Sequence, residues 1–254
     1  TASTATPYGA VLQRLAMRLQ DKYSDVMLLQ QDVEVFKGNK VIQSQDFEMA
    51  MDLFYGLVRN DLEQIEGMVD EINGLVKAYD ISPEDLSDFL YARHAAERNA
   101  FIQTRDASIT ECSGMSDQEA QDILDRLDSP EMRAVASKVY DMIAFTRKYM
   151  VEGGLETRKV VDEWAKRFKY YVPLNGLAED QMDASTSAYP SGGAGMAIYG
   201  PSVRKAKGRS TQTGVNIFGN VVMQAAATVQ KARKDQAMLS LYNLVKGNPN
   251  SAVW

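Results

Sequence analysis

The stretch that decides the fold is FYGLVRNDLEQIEGMVDEINGLV, residues 54–76. Its apolar side chains recur every three or four positions for about six turns, the period of an α-helix that buries one face. Those side chains are Phe54, Leu57, Val58, Leu62, Ile65, Met68, Val69, Ile72, Leu75 and Val76. Acidic side chains cover the other faces: Asp61, Glu63, Glu66, Asp70 and Glu71. The pattern predicts a long amphipathic helix that begins near Ser44.

A second amphipathic pattern precedes this helix. Thr6 is a suitable N-cap, Pro7 a suitable first helical residue, and Gly38 a stop. Its apolar positions are Leu12, Leu15, Leu19, Val26, Leu29, Val33 and Phe36. Because neither helix can bury its stripe alone, we expect them to pack as an antiparallel hairpin or onto another chain. Leu29 and Ile65 are central to the predicted stripes.

Local start and stop signals predict the remaining helices. Ser-Pro pairs at 82–83 and 129–130 place an N-cap before a proline at the first helical position. The stretch 116–119 has the sequence of a capping box. Further helices are expected over 156–168 and 213–246, with an extended stretch at 170–174 between them.

These patterns predict an all-α fold, an elongated bundle of long amphipathic helices with an irregular Gly/Ser-rich segment before the C-terminal helix. We expect residues 1–180 to form a helical bundle that includes the N-terminal hairpin. Residues 181–212 read as an irregular basic linker, because Ser, Gly, Ala and Thr dominate there. Residues 213–254 are expected to form a C-terminal helix that packs on the bundle or on a neighbouring subunit.

Composition excludes several classes of protein. The 254 residues are 45% hydrophobic and 24% charged, as in globular chains. Seven prolines and one cysteine exclude collagen and disulfide scaffolds, and a single histidine excludes most imidazole–thiolate metal centres. We predict no metal, no cofactor and no transmembrane helix, since no apolar run reaches the length of a membrane span. A chain that begins at Thr1 is expected to have lost an initiator Met or to be part of a longer protein.

The charge is divided unevenly along the chain. Residues 191–254 hold eight Lys or Arg against one acid, a charge of +7, which leaves −13 on residues 1–190. The candidate interaction residues are Arg204, Lys205, Lys207, Arg209, Lys231, Arg233 and Lys234. They suit an acidic surface of a neighbouring subunit or nucleic-acid phosphate, and the alternative is a solvated surface. Aromatic residues do not interleave with the segment 204–209, so base stacking is not indicated.

The polar motif at 93–98 is the place where catalysis would be sought first. On a helix Arg93 and Glu97 are neighbours, as are His94 and Arg98. A general base needs a nucleophile or water in reach, and the local sequence supplies none. Cys112 would need His94 as its base and lies in no recognisable cysteine-enzyme motif. We therefore predict a structural motif and a non-enzymatic segment, with any activity elsewhere in a longer parent chain.

Five short elements, in this order, resemble a region of large phage polyvalent proteins, some of which are internal virion (ejection) proteins of podophages. The resemblance covers about residues 85–254. The elements are LYARHAAERN at 90–99, SGMS at 113–116, YVPLNG at 171–176, the stretch 198–209, and Asn-Pro-Asn at 248–250.

The resemblance implies an ordered portion of a DNA-ejection protein that self-assembles into a channel or scaffold for genome delivery. It implies a homo-oligomer whose partners are other ejection proteins, phage DNA and, through the assembly, the host periplasm or membrane. The chain would reside in the virion interior and then in the host cell envelope or cytoplasm. One alternative is a co-injected nucleic-acid-binding or antirestriction module. A fragment of a virion enzyme, such as a cell-wall hydrolase or polymerase, is the other.

Overall fold

A computed structural model describes residues 24–104, 113–174 and 216–249. Within these ranges the chain forms seven α-helices and one short 3-10 turn at Gln43–Gln45, without a strand. The helices are α1 (Ser24–Lys37), α2 (Phe47–Ala78), α3 (Pro83–Gln103), α4 (Asp117–Leu127), α5 (Pro130–Glu152), α6 (Arg158–Arg167) and α7 (Ile217–Gly247). The predicted all-α class is confirmed. The predicted linker at 181–212 and the start of the first helix lie outside the described residues.

The predicted start signals cap helices in the structure. The Ser82 side chain accepts the Asp85 N–H at 3.0 Å at the start of α3. The Ser129 side chain accepts the Met132 N–H at 3.0 Å at the start of α5. Ser116 and Glu119 form both hydrogen bonds of a capping box at the start of α4. The helix predicted from 156 begins instead at Arg158, because the side chain of Thr157 accepts the Val160 N–H and caps it. Local side-chain chemistry therefore sets these helix boundaries.

The described residues divide into two compact units, whose boundaries fall within α2 and α7. The first unit contains residues 24–57 and 234–249, and the second contains 58–104, 113–174 and 216–233. Two long helices, α2 and α7, each contribute residues to both units.

The second unit has a continuous apolar core built from α2, α3, α5 and α7. Its fully buried members include Phe89, Leu90, Ala92, Val135, Val139, Met142, Ala225 and Val229, with Ile65 and Ile72 from α2. Gly153, which follows α5, lies directly against Ala232 of α7, where a Cβ atom would have no room. The close approach of these two elements explains why a glycine ends α5.

The first unit is held at the start of α2 by Gln30 of α1. The buried Gln30 side chain accepts the Phe47 N–H at 2.8 Å and the Glu48 N–H at 3.2 Å. Its amide group donates to Asp46, and Asp46 in turn accepts the Met49 N–H at 2.9 Å. Asp46 therefore caps α2, and the helix begins at Phe47 rather than near Ser44 as the sequence predicts.

The predicted apolar stripe of α1 is wrong in part. Phe36 is 66% exposed, and Leu29 is only partly buried, whereas Met27, Leu28 and Val33 are buried. The buried face of α1 includes the polar Gln30, which the sequence pattern places off the stripe. The reason is that the two orphan N–H groups at the start of α2 need an acceptor, and Gln30 supplies it.

Candidate functional site

The polar motif at 93–98 lies on α3, a helix that buries side chains on more than one face. Its buried residues are Leu86, Ser87, Phe89, Leu90, Tyr91, Ala92, His94, Ala95, Asn99 and Ile102. A helix packed on several sides brings polar side chains into the interior, where each needs a hydrogen-bond partner or a neutral state. The hydrogen-bond partners of these polar residues therefore define the site.

The end of α3 holds the stretch that leads into α4. The Asn99 side chain accepts the Ser113 N–H at 2.8 Å and donates to the Met115 carbonyl at 3.0 Å and to Asp117 at 2.7 Å. The Tyr91 hydroxyl donates to the Ser113 carbonyl at 2.7 Å. The sequence elements 90–99 and 113–116, which are separate along the chain, are thus joined by buried hydrogen bonds.

Glu97 and Arg93 hold the turn that follows α6. The two carboxylate oxygens of Glu97 accept the Lys169 N–H and the Tyr170 N–H, each at 3.0 Å. The Arg93 guanidinium lies over the Tyr170 ring, 3.8 Å from its centre. The sequence places Arg93 and Glu97 as helical neighbours. In the structure Glu97 binds backbone N–H groups of this turn, and Arg93 packs on the Tyr170 ring. The turn that leads into the third sequence element, 171–176, is thereby fixed to α3.

His94 packs as a neutral aromatic ring within this arrangement. It is 1% exposed, and its ring meets Phe168 and Tyr171 edge-on, with centroids 5.7 and 5.5 Å apart. Its Nδ1 atom makes no hydrogen bond and lies 3.7 Å from a Glu97 oxygen. Burial lowers the pKa of the imidazole, since the charged form loses its hydration there. Cys112, the nucleophile that would need His94 as its base, lies outside the described residues.

The extended stretch after the turn is also fixed to α5 and α7. Arg147 of α5 donates to the Phe168 carbonyl at 3.3 Å, and burial lowers the pKa of its guanidinium. Gln224 of α7 donates to the Tyr171 hydroxyl at 3.2 Å, and Asn220 donates to the Pro173 carbonyl. Residues 171–174 of the YVPLNG element are therefore tied to α7, and Phe168, which precedes them, is tied to α5.

A second polar cluster, which the sequence analysis missed, joins α2, α5 and α7. Asp61 is 1% exposed and accepts the Tyr149 hydroxyl at 2.6 Å. The Arg233 guanidinium donates to both Asp61 oxygens, at 2.6 and 3.0 Å, in the bidentate geometry of a strong pair. Burial, together with the Asp61 carboxylate, raises the pKa of Tyr149 to about 12. Position 61 continues the apolar series 54, 58 and 65, a signal that could have revealed its burial.

The structure separates the predicted interaction residues into different environments. Arg204, Lys205, Lys207 and Arg209 lie outside the described residues. The guanidinium of Arg233 is committed to Asp61 inside the second unit, a partner that the charge pattern did not indicate. Lys231 and Lys234 of α7 are partly buried.

Over residues 24–104, 113–174 and 216–249, acids, histidine and cysteine do not come together in a group able to hold a metal ion. Across the same ranges every helix is too short or too polar to span a membrane. Comparisons with protein-family models, curated proteins and solved structures find no match to this chain. The network around α3, which joins three sequence elements, and the buried Asp61 cluster are the polar sites that the geometry defines.

Proposed function

We propose that this chain is a structural protein that assembles with copies of itself. The finer proposal follows the resemblance: an ordered portion of a phage internal virion protein that forms a channel or scaffold for genome delivery. The motif residues support a structural role, because the side chains of Tyr91, Glu97 and Asn99 form hydrogen bonds with backbone groups of neighbouring segments. Such residues fix the shape of a subunit.

The observation that carries the proposal is the apolar surface of the first unit. We use this name for nine large exposed side chains: Val35, Phe36, Ile42, Leu53, Tyr55, Leu57, Leu239, Tyr242 and Val245. Val35 is 79% exposed and Tyr55 is 71% exposed. Single exposed apolar residues are ordinary, but nine of them among the described residues of one unit offer apolar area for an interaction.

The apolar surface suits a second copy of the same chain. Full burial of a side chain of this kind contributes about 1.5–3 kcal/mol, so several of them together offset the cost of association, which is about 4–15 kcal/mol. The surface draws on α1, α2 and α7, and helices with exposed apolar side chains pack against each other by interdigitation. The resemblance to proteins that assemble in multiple copies supports the same partner.

Sedimentation of the full chain tests this proposal. We expect the parent chain to sediment as an oligomer, and the variant Leu53→Ser, Tyr55→Ser, Tyr242→Ser to shift toward the monomer. Tyr79→Ser with Met223→Ser is the matched control, because these exposed residues belong to the second unit. A parent chain that stays monomeric at every concentration contradicts the proposal. A triple variant that assembles like the parent would show that the apolar surface is not the site of self-association.

The division of charge favours a second candidate, a co-injected nucleic-acid-binding module. The +7 on residues 191–254 would offset phosphate charge. If these residues bind duplex DNA, replacing Arg204, Lys205, Lys207 and Arg209 by Ser should flatten the salt dependence of affinity by a slope of about 0.9 for each lost phosphate contact. If the partner is a neighbouring subunit, the same variant should lose assembly and leave DNA affinity unchanged.

A further inference from the structure

One carboxylate in the second unit serves a backbone turn and faces a titratable ring. Both oxygens of Glu97 hold N–H groups of the turn after α6, at Lys169 and Tyr170. The oxygen that accepts the Tyr170 N–H is the one that lies 3.7 Å from His94 Nδ1. That distance is too long for a hydrogen bond, and Nδ1 has no other partner. One oxygen of Glu97 therefore serves the turn and also faces the imidazole.

Among the residues that the structure describes, Glu97 is the acid placed to compensate a proton on the His94 ring. On α3 the neighbours are Glu97 and Arg98, and α5 contributes Arg147. The stretch after α6 contributes the Tyr171 ring, whose hydroxyl has its pKa raised by burial and stays neutral. An imidazolium would be buried beside two guanidinium groups and one carboxylate. We expect it to attract that carboxylate, because a buried charge without a partner is costly.

We propose that the turn at 168–170 is held by a pH-sensitive latch, in which protonation of His94 draws the Glu97 carboxylate onto the imidazolium and away from the Lys169 and Tyr170 amides. A solvent proton binds Nδ1, and the new N–H donates to the Glu97 oxygen. The two amides then lose part of their acceptor, so the turn opens more often. This inference concerns the packing of a single chain and stands apart from the proposed self-assembly.

The sign of the effect follows from the pKa of His94, which burial lowers in the folded chain. A group whose folded pKa is depressed takes up a proton more readily in the open state. The latch is therefore fully closed above the ordinary histidine pKa of about 6.5 and weakens as the pH falls below it. One proton changes the opening equilibrium by at most about tenfold for each pH unit.

Amide hydrogen exchange in the full chain tests the latch. We would measure protection factors of the Lys169 and Tyr170 amides, corrected for intrinsic exchange, from about pH 7.5 down through the titration of His94, whose pKa burial lowers. The chain has one histidine, so its imidazole NMR signal reports the titration directly. We expect protection of both amides to fall along the His94 titration. The Gly153 amide, which is bonded to the Tyr149 carbonyl, is the control and should not follow it.

Two variants separate the latch from general loosening at low pH. His94→Gln removes the titrating group and should make protection of the two amides independent of pH. Glu97→Gln offers one carbonyl oxygen in place of two carboxylate oxygens and should lower their protection at every pH. Protection that stays constant through the His94 titration overturns the proposal, as does a pH dependence that survives in His94→Gln. Should His94→Gln fail to fold, the titration and exchange of the parent chain decide alone.

Discussion

The two units of this chain treat polar and apolar side chains in opposite ways. In the second unit several polar residues are buried and paired, as Asp61 is with Tyr149 and Arg233. In the first unit Gln30 is buried and paired, but large apolar residues such as Phe36 and Tyr55 lie in water. One unit therefore fixes its packing through buried polar pairs, whereas the other exposes large apolar side chains among its described residues.

The difference between the units predicts which substitutions change stability and which change the proposed self-association. A buried hydrogen-bonded pair fixes the register of the helices that it joins, because any slip would leave a charge without its partner. An exposed apolar side chain adds little to its own unit and gains its contribution when another surface covers it. We expect substitutions in the second unit to change the free energy of unfolding, and those on the apolar surface to change the mass of the assembly.

The largest effect is expected at the buried charge pair. Asp61→Ala should lower the free energy of unfolding by about 3–5 kcal/mol, because it leaves the Arg233 guanidinium and the Tyr149 hydroxyl without their acceptor. Urea denaturation measures the loss. The double variant Asp61→Leu with Arg233→Met should recover much of it, since no buried charge is then left unpaired. A double variant as unstable as Asp61→Ala would contradict the pairing as its cause.

The next contrast lies within one helix. Ile65→Ala in the second unit should lower the free energy of unfolding by about 2–5 kcal/mol, because it opens a cavity in the apolar core. Leu57→Ala, at a position 38% exposed in the first unit, should change it by less than about 0.5 kcal/mol. Thermal or urea unfolding of the two variants side by side tests the contrast. Equal losses would show that the two regions of α2 are buried alike.

A smaller loss is expected where Asn99 joins α3 to the start of α4. Asn99→Ala leaves the buried Ser113 N–H without its acceptor and removes one of the two donors to the Met115 carbonyl, at a cost of about 1–3 kcal/mol. Asn73→Ala on the exposed face of α2 is the matched control and should stay within about 0.5 kcal/mol of the parent. An Asn99 variant as stable as the control would mean that water replaces the network.

The smallest of these effects is expected in the first unit. Gln30→Ala removes the acceptor of the Phe47 and Glu48 amides and should lower the free energy of unfolding by about 1 kcal/mol, as the loss of a helix cap does. Gln43→Ala, an exposed glutamine in the adjoining 3-10 turn, is the control. Circular dichroism during urea unfolding measures both. No difference between the two variants would show that Gln30 does not cap α2.

The amino-acid sequence determined the class of fold and most helix boundaries. Ser82, Ser116 and Ser129 predicted helix starts that the structure confirms, because a capping side chain bonds to backbone only three residues away. The period of three to four residues likewise placed Ile65 and Ile72 in the core. Signals of this kind depend on local geometry, which a single sequence carries.

Tertiary structure alone decided which polar side chains are buried. From the sequence, Asp61 belongs to a solvated acidic face. In the structure it is buried, because Tyr149 and Arg233 supply its hydrogen bonds from positions 88 and 172 residues farther along the chain. His94 and Glu97 are neighbours on one helix, but their surroundings come from the turn after α6. Whether a polar side chain is inside depends on partners distant in sequence, because desolvation is tolerated only where such a partner completes the hydrogen bonds.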